Sequence, residues 1–158
     1  MKVALVLDRF DPSWGGLEAW VAQYAQWLVT GGHRPCVVAF VIEPAAVPAG
    51  VEVVPVKRPK DHARRAAALE AAARALAPDV LHDTGCIGRC DIYHPLGGSR
   101  LAARRAEAPA RPLSDRWREF LAPRWRRLYR ARRRVEEWAF ADPRVTLIAV
   151  SHLVRDQF

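Results

Sequence analysis

"KVALVLDRFDPSWGGLEAWVAQYAQWLVTGG", residues 2–32, decides the fold class. Its first seven residues, 2–8, form an apolar run of strand length. Such runs suit strands buried on both faces, as in a parallel sheet. Residues 9–16 hold Pro12 and a glycine pair and read as a loop. From 17 to 32 the pattern turns helical. Leu17, Val21, Tyr24 and Leu28 fall on one stripe, and a second glycine pair ends it.

The alternation continues along the chain. Residues 35–42 read as a second strand and 51–56 as a third, with Pro55 suggesting a sheet edge. Residues 62–77 are a strong helix by propensity. Strands follow at 79–83, 90–95 and 145–151. Between the last two lies an Arg-rich helical stretch, 115–141. On it Trp117, Leu121, Trp125, Leu128, Val135 and Trp138 roughly follow one stripe, and Pro123 divides it into two helices. Strands alternating with helices predict an α/β fold, a doubly wound and mostly parallel sheet with flanking helices. The 158 residues suit one domain, 1–158, large enough for a real core.

Composition narrows the class. No run of about 18 apolar residues is present, so no transmembrane helix is expected. The amino-terminal run is followed at once by Asp8, Arg9 and Asp11 and reads as a core strand, not a signal peptide. Three cysteines make no disulfide framework and fit a reducing cytoplasm. The net charge of +8 is localised: thirteen Arg against three acidic residues give +10 between Arg100 and Arg134, leaving about −2 elsewhere.

"LHDTGCIGRCDIYH", residues 81–94, spaces His82, Cys86, Cys90 and His94 four apart, which raises a zinc site. Gly85 and Gly88 argue against one helix carrying all four. On a strand, Cys90 and His94 would lie roughly 13 Å apart, whereas zinc ligands sit about 2.0–2.3 Å from one centre. No metal is expected. The alternative is positional: His82, Asp83 and His94 end strands, and ligands of open α/β sheets bind outside the carboxyl ends of strands. Simple hydrogen bonding of these residues to neighbouring loops is the other reading. The loop "DPSWGG" is not the G-x-G-x-x-G of dinucleotide binders. Gly15 and Gly16 nevertheless open a helix after a buried strand, where free N–H groups suit a phosphate; a tight turn without ligand is the alternative.

"PSWGGLEAWV" followed by "LVTGGHRPCVVAF", with "DVLHD", "CDIYHPLGGSR" and "FADPRVTLIAVSHLVRDQF", resembles the amino-terminal half of family 4 retaining glycosyltransferases with the GT-B fold. Within that family the chain looks most like lipopolysaccharide core glucosyltransferases. The resemblance covers nearly the whole chain. It implies one Rossmann-like half of a two-domain enzyme, with a donor-binding second domain not contained in these residues, and an isolated chain without activity. It implies transfer of a sugar from a nucleotide-sugar donor to a glycan or glycolipid acceptor, with retained configuration and no cofactor or metal. By motif match, Gly15 and Gly16 would contact the donor diphosphate. His94, with Asp91, would lie near the transferred sugar. Gly97, Gly98, Ser99 and Arg100, with His82 and Asp83, would line the acceptor cleft. One departure matters: residues 84–89 are too short for a crossover helix, since parallel crossovers need about a dozen residues.

The basic stretch suits an anionic surface. Arg124, Arg126, Arg127 and Arg130, with tryptophans on the same segment, fit an anionic membrane face or a glycolipid acceptor. The expected location is cytoplasmic, with peripheral attachment to the inner face of the cell membrane. Nucleic acid is disfavoured, because no helix-turn-helix, RRM or zinc-finger pattern accompanies the arginines. A non-catalytic basic α/β module binding membrane or nucleic acid is the alternative function.

Overall fold

The computed structural model describes residues 1–99, 102, 106–110, 112, 114, 117 and 121–157, without the side chains of 108 and 124. The chain runs β1 (Lys2–Val6), β2 (Arg9–Phe10), α1 (Gly16–Thr30), β3 (Arg34–Ala39), β4 (Val41–Ile42), β5 (Glu52–Pro55), α2 (Arg65–Ala75), β6 (Val80–Asp83), β7 (Ile92–Tyr93), α3 (Pro123–Ala141), β8 (Thr146–Leu147) and α4 (His152–Arg155). Among the described residues the main sheet has six strands, ordered β5-β3-β1-β6-β7-β8, and every pairing is parallel. The order turns back on itself between β1 and β6. That switch point is where open α/β sheets bind their ligands.

β1 explains both layers. Its side chains alternate, so Val3 and Leu5 point to the face covered by α1, while Ala4 and Val6 point to the face covered by α2. Val21, Ala25 and Leu28 of α1 are buried, and each buried Val or Leu stabilises the fold by about 1.5–3 kcal/mol. Gly31 and Gly32 close the helix, their N–H groups bonding to Trp27 and Val29 carbonyls. α3 starts at Pro123, as a helix can when proline occupies its first turn. It lies on the α2 side, where Val135 and Ala139 pack against Tyr93 and Ala66. Pro55 ends β5 at the sheet edge, where its missing N–H costs no ladder bond.

Two expectations need correction. The apolar run 35–42 is two strands. After Ala39 the chain leaves the main sheet, the Phe40 N–H bonds to the Asp8 carbonyl, and β4 pairs with β2 in a separate two-stranded sheet. The strands expected over 90–95 and 145–151 shorten to two residues each. Pro95 supplies no N–H to extend β7.

The link from β6 to β7 has no crossover helix, as its shortness indicates, yet the two strands pair in parallel. The crossover runs over eight residues, 84–91. What replaces the helix is the Asp83 carboxylate. One oxygen accepts from the Gly85 and Cys86 N–H groups at 3.1 and 2.7 Å, the other from those of Ile87 and Gly88 at 2.9 and 2.7 Å. The Ile87 side chain plugs the core. Gly88 has φ of +74°, and a Cβ there would overlap the Val135 carbonyl. Only glycine lets α3 approach this loop so closely.

Candidate functional site

α1 opens directly from the β1 loop. Gly15 is its N-cap in extended conformation, and no side chain caps the helix. The first helical bond runs from the Ala19 N–H to the Gly15 carbonyl, so the N–H groups of 16–18 have no partner within the helix. The bonds of the preceding turn use the Ser13 and Trp14 N–H groups, both directed to Asp11. A Cβ at Gly16 would meet nothing within 4 Å. The helix start is open on that side.

Beside it lies a cavity of about 700 Å³ at the carboxyl ends of the strands. Asp8, Phe40, Thr84 and Pro95, which follow β1, β3, β6 and β7, form its floor, and Leu17 of α1 borders it. α3 forms a wall, through Arg127, Arg130 and Arg134 among others. The opposite wall is the α2 entrance. There Arg58 bonds to Asp8 at 2.6 Å, and the Arg65 Nε donates to the Pro59 carbonyl.

The histidines lie on the other face of the sheet. His82 is 2% exposed and His94 5%. Their rings stack at 5.5 Å, Trp20 sits edge-on to His94 at 4.8 Å, and Tyr24 edge-on to His82 at 5.5 Å. Both ring nitrogens of His82 and Nδ1 of His94 are buried without a hydrogen-bond partner. Burial, reinforced by the neighbouring His94, pushes the His82 pKa down to about 4, and burial lowers that of His94. Cys86 and Cys90 pack with the α2-side core. The sheet thus separates the two histidines from the two cysteines, which cannot share one ion.

No protein-family model and no curated protein matches the sequence. Among solved structures, the fold aligns with that of WaaG, a glycosyltransferase involved in lipopolysaccharide biosynthesis, at a TM-score of 0.72 and 18% identity. The alignment covers 98% of this chain and 40% of WaaG. The chain has the fold of one half of a GT-B glycosyltransferase. It spans two-fifths of the length of the protein it matches.

Within this fold, the expected site residues separate into groups. Gly97 and Gly98 line the cavity. Ser99 is buried beside it: its hydroxyl donates to Glu136 at 2.8 Å and accepts from the Ala102 N–H. Arg127 and Arg130 border the cavity as well. Arg100 lies outside the described residues, as does the side chain of Arg124. Asp83 faces no cleft, because all of its acceptor capacity serves the 85–88 loop. His82 and His94 are closed under α1 instead of facing the cavity. Asp91 stands at the amino end of β7, roughly 10 Å along the strand from His94. Its carboxylate accepts from the Leu81 N–H at 2.7 Å, and its carbonyl from the Thr146 N–H. It joins β6, β7 and β8 and is remote from the strands' carboxyl ends.

Two features escaped the sequence reading. Arg58 and Arg65 belong to the cavity, yet they lie about 65 residues before the arginines of α3. The Trp20, Tyr24 and Trp27 rings form a stacked row along α1, at 5.0 and 6.0 Å. Their i, i+4, i+7 spacing was the available signal.

Proposed function

We propose that this chain is the acceptor-side half of a retaining glycosyltransferase that moves a sugar from a nucleotide-sugar donor to a glycan or glycolipid acceptor of the cell envelope. The observation that carries this reading is the uncapped start of α1 at the carboxyl edge of the sheet. As the donor bond breaks, negative charge develops on the leaving diphosphate. The N–H groups after Gly15 are already oriented, so they stabilise that charge with little reorganisation. We assign no proton-transfer step to His94, whose ring is closed in by Trp20 and His82. The reading names no metal and no cofactor.

The test is sugar transfer by the complete gene product. Gly16→Val should lower kcat by roughly 100-fold, the scale of losing an oxyanion donor. Its urea midpoint should stay put, because a side chain there meets open space. Unchanged turnover would remove the phosphate role from this loop.

A membrane-facing edge accompanies this reading. Trp117, Leu121 and Trp125 are 62%, 68% and 39% exposed, on the same segment as the arginines. Exposed indoles beside arginines suit the headgroup layer, and each arginine contributes on the order of 1 kcal/mol near an anionic surface. No helix among the described residues is long and apolar enough to cross a membrane. The chain should sediment with vesicles containing anionic lipid, release with salt and shift its tryptophan emission to the blue. Equal, weak binding to neutral and anionic vesicles, with tight salt-sensitive binding to duplex DNA, would favour a non-catalytic basic module instead.

A further inference from the structure

The arginines of α3 do not form one surface. Arg133 pairs with Glu137 at 2.6 Å, and Arg126 lies off the cavity. Arg127, Arg130 and Arg134 stand on successive turns and line it. Six arginines and three carboxylates border this space, the arginines being 58, 65, 127, 130, 132 and 134. None of the three carboxylates pairs with Arg127, Arg130 or Arg134. Asp8 holds Arg58, Asp61 caps its own turn by accepting from the Ala63 N–H, and Glu136 accepts from the Ser99 hydroxyl. Among the described residues Arg127, Arg130 and Arg134 have no carboxylate partner. Six positive and three negative side chains leave an excess of three positive charges around one concavity, and a multivalent anion relieves their repulsion. Guanidinium forks match phosphate oxygens two at a time. The volume is within the range of small-molecule sites, and Leu17, the residue after Gly16, borders the cavity.

We propose that this cavity binds the phosphate of a phosphorylated sugar, so that the acceptor is recognised through a phosphomonoester held by Arg127, Arg130 and Arg134. The proposal rests on the acceptor-side reading above and specifies its substrate class. A sugar bearing a phosphate would be held by its dianion while its hydroxyls extend along the carboxyl edge toward Gly15 and Gly16. The diphosphate of a donor offers the same chemistry, so the test must distinguish the two.

The experiment is calorimetric titration of this chain with glucose 6-phosphate, glucose and uridine diphosphate. Saturable binding of glucose 6-phosphate, with glucose at least tenfold weaker, is expected. Arg130→Gln and Arg134→Gln should each weaken it about tenfold, the scale of one charge-assisted hydrogen bond. Arg133→Gln, which alters the same helix away from the cavity, should leave it unchanged. All three variants should keep the melting temperature, since these side chains are exposed. Binding of glucose 6-phosphate no tighter than glucose, or weakened equally by Arg133→Gln, overturns the proposal. Uridine diphosphate binding tighter than glucose 6-phosphate, and lost in the Arg130 and Arg134 variants, assigns the cavity to a donor and overturns it too. Binding is read independently of transfer. A gene product without transferase activity whose cavity still takes the sugar phosphate defeats the enzyme reading alone. An active enzyme that ignores the sugar phosphate defeats this one alone.

Discussion

Asp83→Ala should remove a large share of the domain's stability. The substitution removes both acceptors from four N–H groups, those of Ile87 and Gly88 buried and those of Gly85 and Cys86 half-buried. A buried donor left without an acceptor costs about 1–3 kcal/mol. Even with partial repair by water, a loss of about 4–6 kcal/mol is expected, against a total stability of about 5–15 kcal/mol for an ordinary domain. The damage would spread, because the loop carries Ile87 into the core and seats α3 through Gly88. Asp83→Asn separates the causes. It keeps one acceptor oxygen and turns an NH₂ toward two N–H donors, so about half the loss should remain. Urea titration measures both. Burial pushes the Asp83 pKa up while the four N–H donors pull it down, and two donors on each oxygen leave no acceptor for an added proton. If Asp83→Ala shifts the urea midpoint no more than a surface substitution, the loop is held by something else.

That residue also marks where the sequence was hard to read. The buried β1, the glycine loop and the α1 stripe were legible because apolar run length and helical period report burial directly. Pro55 was legible as an edge because a missing N–H is a local property. The eight-residue crossover was not, since residues 84–91 contain no periodic element. Its only signals are one aspartate and two glycines, and these have meaning only once the strands on either side are known to be parallel. The split between β3 and β4 was hidden for a related reason. Both halves are apolar, and hydropathy does not say which sheet a strand joins. In the site, Gly97, Gly98, Arg127 and Arg130 reach the cavity as strand-end and helix positions allow. Asp91 does not, because a two-residue strand places it at the opposite end from His94. The division of the arginines was only partly within reach: helical period sets 127 and 134 apart from 126 and 133 but leaves 130 between them.

His82 should make the domain acid-sensitive between pH 6.5 and 4. Its two ring nitrogens are buried without partners, so the folded environment offers a charged ring nothing to bond. The groups around it give no compensation: His94, just after β7, repels a second positive charge, and Tyr24 and Trp20 on α1 sit at T-shaped angles to the ring. Burial and His94 lower the pKa from 6.5 to about 4. As pH falls through 6.5, the unfolded chain takes up a proton that the folded chain refuses, and the balance tips toward unfolding. Stability is therefore full above pH 6.5, declines by up to about 1.4 kcal/mol per pH unit below it, and levels off near pH 4. The whole contribution is about 3 kcal/mol. His94 acts in the same direction, because its pKa is also lowered. His82→Leu removes the titrating group together with two unpaired nitrogens, whose burial costs stability at every pH. The variant should match or exceed the natural protein at pH 8 and exceed it by a wider margin at pH 5. Urea midpoints at the two pH values give the result directly. If both proteins lose the same stability between pH 8 and pH 5, His82 is not the group that titrates, and its ring must have found a partner or reached water.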